Sequence, residues 1–174
     1  MSARRLVIGA LFAFSVASSS LPARAAALSL VQVVQDSASG LSGASAVAVS
    51  PDGKNAYVTS ESGNSVSMFY RDLGANAFFY MGKLVDGVDA DGLQGASAIA
   101  ISPDGQSVYV TGKTANALAV FERFSSGLLS FTGVLREGFD GVDGLTAPTG
   151  VAVGPTGPGL RLELRRRRPL GLRP

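Results

Sequence analysis

The chain contains neither histidine nor cysteine. Without histidine there is no usual base for a serine nucleophile and no usual zinc ligand, and without cysteine there is no disulfide framework. Carboxylates, hydroxyls and a few amines are left to do chemistry. The acids gather in two stretches, Asp86, Asp89 and Asp91, then Glu137, Asp140 and Asp143. Clustered carboxylates suit a hard cation such as calcium, which makes Asp86, Asp89, Asp91, Asp140 and Asp143 the candidate metal ligands. The rest of a calcium loop is missing: Gly87 stands at the first ligand position and Ala98 at the last, and neither side chain can coordinate. The competing reading, that aspartate and glycine simply make turns here, is preferred. Gly112-Lys113-Thr114 resembles the end of a phosphate-binding loop, but Ser107 occupies the place of the earlier glycine and a strand pattern follows. Gly95-Ala96-Ser97-Ala98 begins like a nucleophile elbow, with Ile99 where the closing glycine is needed. No residue is assigned a catalytic role, and no cofactor is expected.

The elements that hold these residues are set by a repeat. GLSGASAVAVSPDGKNAYVT opens at Gly40, and GLQGASAIAISPDGQSVYVT opens at Gly92, 52 residues on. A third opening, GLTAPTGVAVGPTG, begins at Gly144, again 52 residues on. A fixed period of this size defines a repeat architecture. Within one period, Ala98 and Ala100 alternate with Ile99 and Ile101, the period of a strand covered on both faces. Ser102-Pro103-Asp104-Gly105 is a tight turn, with proline presetting φ and glycine at the fourth position. Strands are predicted at Ser97–Ser102, Ser107–Thr111, Leu118–Arg123 and Leu129–Arg136. Their counterparts in the first copy are Ser45–Ser50, Asn55–Ser60, Ser65–Arg71 and Phe78–Val85. Four short antiparallel strands in about fifty residues make one blade of a β-propeller. Small alanines on one face of the innermost strand let neighbouring sheets approach. Tyr57 and Tyr109 are expected to pack between sheets with the hydroxyl reaching a partner.

The segments SPDGKNAYVT and SPDGQSVYVT, followed by SVSMF and ALAVF, resemble the YVTN-type repeats of bacterial lactonase-like β-propeller proteins. The GVAVGPTG copy is also similar to NHL-type propeller repeats. The resemblance covers about residues 28 to 157. It implies an all-β partial propeller: two complete four-stranded antiparallel blades, about 40–87 and 92–138, with the start of a third at 144. Leu28–Val34 reads as an outer strand arriving without its three partners.

Outside the repeats, residues 1–25 read as a secretory signal peptide. Arg4 and Arg5 precede an apolar run too short to span a bilayer, and Ala23-Arg24-Ala25 offers a cleavage site. The mature chain is expected to begin near Ala26, be exported to a periplasmic or extracellular location, and carry no further membrane span. Residues 28 to 157 hold six basic and twelve acidic residues, although the whole chain is formally +2. The basic surplus lies in the leader and in the tail, 158–174, so nucleic acid is not an expected partner. The tail has lost the repeat. It reads as a frameshifted further blade, because dropping one base from Pro-Asp-Gly coding yields Pro155-Thr156-Gly157. By this reading the chain is an incomplete copy of a longer propeller.

The functional expectation is a binding or scaffolding role for an exported propeller-repeat protein. A protein or small-molecule ligand would sit on the loop face of Asp86–Gly95, Glu137–Pro148, Ser60–Asn64 and Gly112–Asn116. Exposed blade faces are expected to favour self-association. The resemblance implies the alternative, a lactone hydrolase. Family lactonases use pore residues that include histidine, and none can be carried over.

Overall fold

The alternation and turn chemistry of each repeat produce the strands where the pattern places them, to within about a residue. The structure, a computed structural model, describes residues 32–34, 39–154 and 162–166, the last for backbone only. The leader read at 1–25, residues 28–31 of the expected outer strand, and most of the tail lie outside the described residues.

Blade 1 comprises β1 (Ala44–Val49), β2 (Asn55–Ser60), β3 (Ser65–Asp72) and β4 (Ala77–Val85). Blade 2 comprises β5 (Ala96–Ile101), β6 (Ser107–Gly112), β7 (Ala117–Arg123) and β8 (Leu129–Arg136). Each is a four-stranded antiparallel sheet in sequential order. The bulges recur at matching places, Ala44/Ala46 with Ala96/Ala98, and Met68/Phe69 with Val120/Phe121. A bulge adds local twist, so both sheets coil alike and can stack.

A third unit begins with β9 (Pro148–Val153), which pairs antiparallel with β10 (Leu162–Arg166). The tail has lost the repeat, but the alternation of Leu160, Leu162 and Leu164 with charged residues leaves a short strand open there. That alternation is enough to place a strand beside β9. At the other end, the described residues 32–34 form no strand. The Gln32 side-chain amide instead mimics one: its Nε2 donates to the Phe78 carbonyl at 2.9 Å and its Oε1 accepts the Phe78 N–H at 2.7 Å.

The Ser-Pro-Asp-Gly turns are built identically. The Ser50 hydroxyl donates to Asp52 Oδ1 at 2.5 Å and accepts the Asn55 N–H at 3.0 Å. Ser102 repeats both contacts with Asp104 and Ser107. Gly53 and Gly105 take φ of 69° and 73°, where a side chain would be strained.

The core lies between sheets. Tyr57, Val66 and Met68 of blade 1 meet Val108, Val110 and Phe121 of blade 2, with Ile99 and Ile101 packed alongside. Leu93, fully buried, plugs this joint from the connecting loop, a burial worth about 2 kcal/mol. The next joint repeats the plan: Tyr109 and Leu118 of blade 2 meet Val151 and Val153 of β9, plugged by Leu145. The outward face of blade 1, Ala56, Val58 and Phe69, is covered by Val34, Leu41 and its own Val49 and Phe78.

Candidate functional site

The loops that enter each first strand and those that join the second and third strands converge on one end of the blades. Asn64 and Asn116 end the latter loops at φ of 47° and 50°, a conformation asparagine tolerates better than most residues. There they reach the following repeat. Asn64 Oδ1 accepts the Gly95 N–H, and Asn116 Oδ1 accepts the Ala147 N–H, both at 2.8 Å. These contacts bring together the four loop segments expected to form a binding face.

A groove of about 500 Å³ opens on that face, lined by Gly43, Ala44, Ser45, Glu61, Ser62, Ser97, Lys113 and Thr149. Ser45, Ser97 and Thr149 hold the same position in successive repeats, 52 residues apart. Ser45 donates to the Ala96 carbonyl at 2.6 Å, and Ser97 donates to the Pro148 carbonyl at 2.8 Å. Each hydroxyl therefore straps one first strand to the next and keeps its oxygen on the groove wall, beside Thr59 or Thr111 at 2.9 Å. Across the groove, Lys113 Nζ meets Glu61 Oε1 at 2.9 Å, with side chains 39% and 47% exposed. A pair this wet is worth only about 0.2–1 kcal/mol, so a ligand can separate its members cheaply. The arrangement offers hydroxyls and one separable ion pair to a small polar molecule. Among the described residues Ser97, the residue of the would-be elbow, has no base against it: its partners are the Thr111 and Pro148 carbonyls and the Thr111 hydroxyl. Lys113 of the would-be phosphate loop follows a strand and precedes another.

The candidate metal ligands are distributed over separate tasks. Asp86 Oδ1 accepts the Leu93 N–H at 2.7 Å, and Asp89 Oδ2 accepts the Val85 N–H at 3.1 Å. Asp91 pairs with Arg136, whose hydrogen bond holds its carboxyl below the usual range. Glu137 accepts the Gly144 and Leu145 N–H groups. Asp140 lies in a turn at φ of 50°, and Asp143 sits in the loop that follows. Among the described residues no group of three or more acidic, histidine or cysteine side chains could hold a metal ion.

Sequence reasoning missed a polar node between the blades. Arg123 at the end of β7 is 8% exposed in its side chain. Its guanidinium donates to Asp52 at 2.9 Å, Asn55 Oδ1 at 2.7 Å, the Tyr57 hydroxyl at 2.9 Å and the Gly105 carbonyl at 3.2 Å. The Tyr57 hydroxyl donates in turn to the Gly127 carbonyl at 2.8 Å, the role expected of it. Burial raises the Asp52 pKa, but the Ser50 hydroxyl, the Lys54 N–H and Arg123 outweigh it and bring the carboxyl down to about 2. Burial moves the Tyr57 hydroxyl the other way, upward. The available signal was the recurrence of arginine at 71 and 123.

A family model described as lactonase, 7-bladed beta-propeller, matches residues 23–137. No curated protein matches the chain. Among solved structures, a Lactobacillus plantarum protein is similar at 28% identity and a TM-score of 0.54, covering 61% of this chain and 31% of its own. A Bacteroides fragilis protein provisionally assigned as a 6-phosphogluconolactonase is 26% identical, with a TM-score of 0.54, covering 67% of this chain and 30% of its own. A Bacteroides uniformis protein with the same provisional assignment gives a TM-score of 0.59 at 22% identity, covering 79% and 40%. This chain thus spans 30–40% of the length of these three propellers. No helix among the described residues is long and apolar enough to cross a membrane.

Proposed function

Because this chain belongs to the lactonase seven-bladed β-propeller family, we propose that it is an exported binding member of that class, whose groove takes a small polyhydroxylated ligand such as a sugar acid or its lactone. The observation that carries this reading is the line of repeat-related hydroxyls, Ser45, Ser97 and Thr149, along one wall of the groove. Its volume of about 500 Å³ suits a small molecule. Lys113, once separated from Glu61, would pair with a carboxylate on the ligand.

Calorimetric titration of the purified chain with gluconate and gluconolactone tests the reading. Saturable binding is expected, with a dissociation constant on the order of 0.1–1 mM. Lys113→Ala should weaken gluconate about tenfold while changing the uncharged lactone little, since only the acid gains an ion pair. No heat with either compound would reject the reading.

A second reading, lactone hydrolysis, is supported by the provisional assignment of the Bacteroides fragilis relative. It requires a base within hydrogen-bond reach of the attacking water, and Glu61 is the carboxylate on the groove. Acid release in a pH-stat assay that exceeds the spontaneous rate and disappears in Glu61→Gln would establish hydrolysis in place of simple binding.

A further inference from the structure

We propose that a cleft between blade 1 and blade 2, at the end of the sheets away from the hydroxyl-lined groove, binds an acidic sugar unit: a pyranose ring that carries a carboxylate. The cleft has a volume of about 450 Å³, within the range of small-molecule sites. Lys54 reaches it from the loop joining β1 to β2 and Leu73 from the loop joining β3 to β4, while Ser125 and Ser126 come from the loop joining β7 to β8. Both walls thus belong to the two complete blades. Tyr70 lines the cleft and is 42% exposed. Its ring stacks at 5.2 Å and 21° on Phe79, its cross-strand neighbour, which does not itself line the cleft. The pair gives the cleft a braced aromatic wall. These two positions break the repeat. The matching cross-strand pair in blade 2 is Glu122 and Ser130. Blade 2 is built without aromatic rings there, so the fold itself does not call for them.

The floor of the cleft is rigid. Asn55 is buried, its Oδ1 taken by Arg123 at 2.7 Å and its Nδ2 by the Phe69 carbonyl at 3.4 Å. The blade 2 turn rests directly on it: a Cβ at Gly127 would lie 2.0 Å from Asn55 Nδ2. The Gly127 N–H closes that turn on the Phe124 carbonyl at 2.8 Å, and the Tyr57 hydroxyl holds the Gly127 carbonyl. Ser125 and Ser126, both exposed, are therefore presented from a fixed turn. The local charge is positive. Lys54 is exposed and, among the described residues, forms no ion pair. Arg71 also lines the cleft and donates to Asn76 Oδ1 at 2.9 Å. Among the described lining residues the one carboxylate, Asp72, accepts the Ala75 N–H of its own loop at 2.9 Å. Two cations against one engaged carboxylate reverse the balance of residues 28 to 157, where acids outnumber bases twelve to six. An anion is favoured here. A pyranose matches the rest of the lining: the weakly positive hydrogens of its C–H face suit the negative face of the Tyr70 ring. Its hydroxyls suit Ser125 and Ser126, and its carboxylate suits Lys54.

Titration of the isotope-labelled full chain with digalacturonate, and separately with the neutral disaccharide cellobiose, tests this by amide NMR shifts. Digalacturonate should give saturable shifts at Lys54, Tyr70, Ser125 and Ser126, with a Kd on the order of 1 mM. Cellobiose, which lacks a carboxylate, should bind at least about tenfold more weakly. Lys54→Ala and Tyr70→Glu should each weaken digalacturonate about tenfold. Tyr70→Glu places at 70 the residue type that blade 2 already carries at 122, and circular dichroism checks that both variants fold. Tyr70→Phe keeps the ring and should bind as the wild type does. Shifts confined to Ser45, Ser97 and Lys113 would put the acid in the first groove, overturning this proposal while leaving the reading of that groove intact. Absence of saturable shifts also overturns it, as does equal affinity for the two disaccharides, or Tyr70→Glu binding as tightly as the wild type.

Discussion

Arg123→Ala is expected to lower the unfolding free energy by about 3 kcal/mol, read as a fall in the urea midpoint. Breaking a buried ion pair typically costs about 3–5 kcal/mol, and this one belongs at the low end because the Asp52 side chain is 40% exposed. The loss is not mainly Coulombic. Without the guanidinium, Asn55, buried at 3% exposure, loses its Oδ1 partner, and the Tyr57 hydroxyl keeps only its bond to Gly127. Arg123→Lys should recover less than half, because an ammonium cannot bridge four acceptors that lie in two loops and a strand. The node also sets an acid limit. The Asp52 carboxyl sits at about 2 in the folded protein against an ordinary 3.8. Its contribution is therefore full above pH 3.8 and is lost as the pH falls toward 2. Urea midpoints should drop through that window in the wild type and drop less in Asp52→Asn. Equal slopes in the two proteins would show that other carboxylates carry the acid sensitivity.

Phe121→Ala should cost about 4 kcal/mol, in the range of large-to-small changes at fully buried aromatic sites. Phe121 is 0% exposed in the joint between the blades, its ring set at 62° to that of Phe131. A domain of ordinary stability holds about 5–15 kcal/mol in all, so the variant should lose much of its cooperative melt. Phe121→Leu refills part of the space and should cost less than about 1.5 kcal/mol. Thermal unfolding followed by circular dichroism distinguishes the two. A drop below about 1 kcal/mol for the alanine variant would mean that the blades do not depend on their shared joint.

How far these features could be read in advance depended on whether they repeat within a strand or only across the joint. The eight blade strands were legible because three local codes agree: a period of two in the side chains, the Ser-Pro-Asp-Gly turn, and the 52-residue spacing. Tyr57 was legible as an inter-sheet residue for the same reason. The Arg123 node was not, because its three side-chain partners lie 66 to 71 residues away and leave no pattern within one repeat. The groove was hidden differently. Ser45, Ser97 and Thr149 are unremarkable one by one, and only superposing the repeats puts them in a row. The acidic loops were ambiguous because a carboxylate that caps a backbone N–H and one that binds a cation share the same composition. β10 was legible only as an alternation of leucines with charges, and residues 32–34, the described end of the expected outer strand, are tied to the sheet in another way. There the Gln32 side-chain amide, which no strand pattern singles out, makes both hydrogen bonds to the Phe78 backbone.

The acidic caps have a consequence for how such a chain can vary. Asp86 in the first repeat and Glu137 in the second satisfy equivalent amides, those of Leu93 and Leu145. The first spacing is seven residues and the second eight. The longer loop is matched by the longer side chain, so one methylene absorbs one inserted residue and the leucine plug stays seated in its joint. Insertions and deletions in the outer loops can thus be neutralised by a single aspartate–glutamate exchange, while the inner strands must keep their phase. Length drift among related repeats should therefore collect just after the fourth strand, accompanied by that exchange, and a shift of phase in the first strand should be rare.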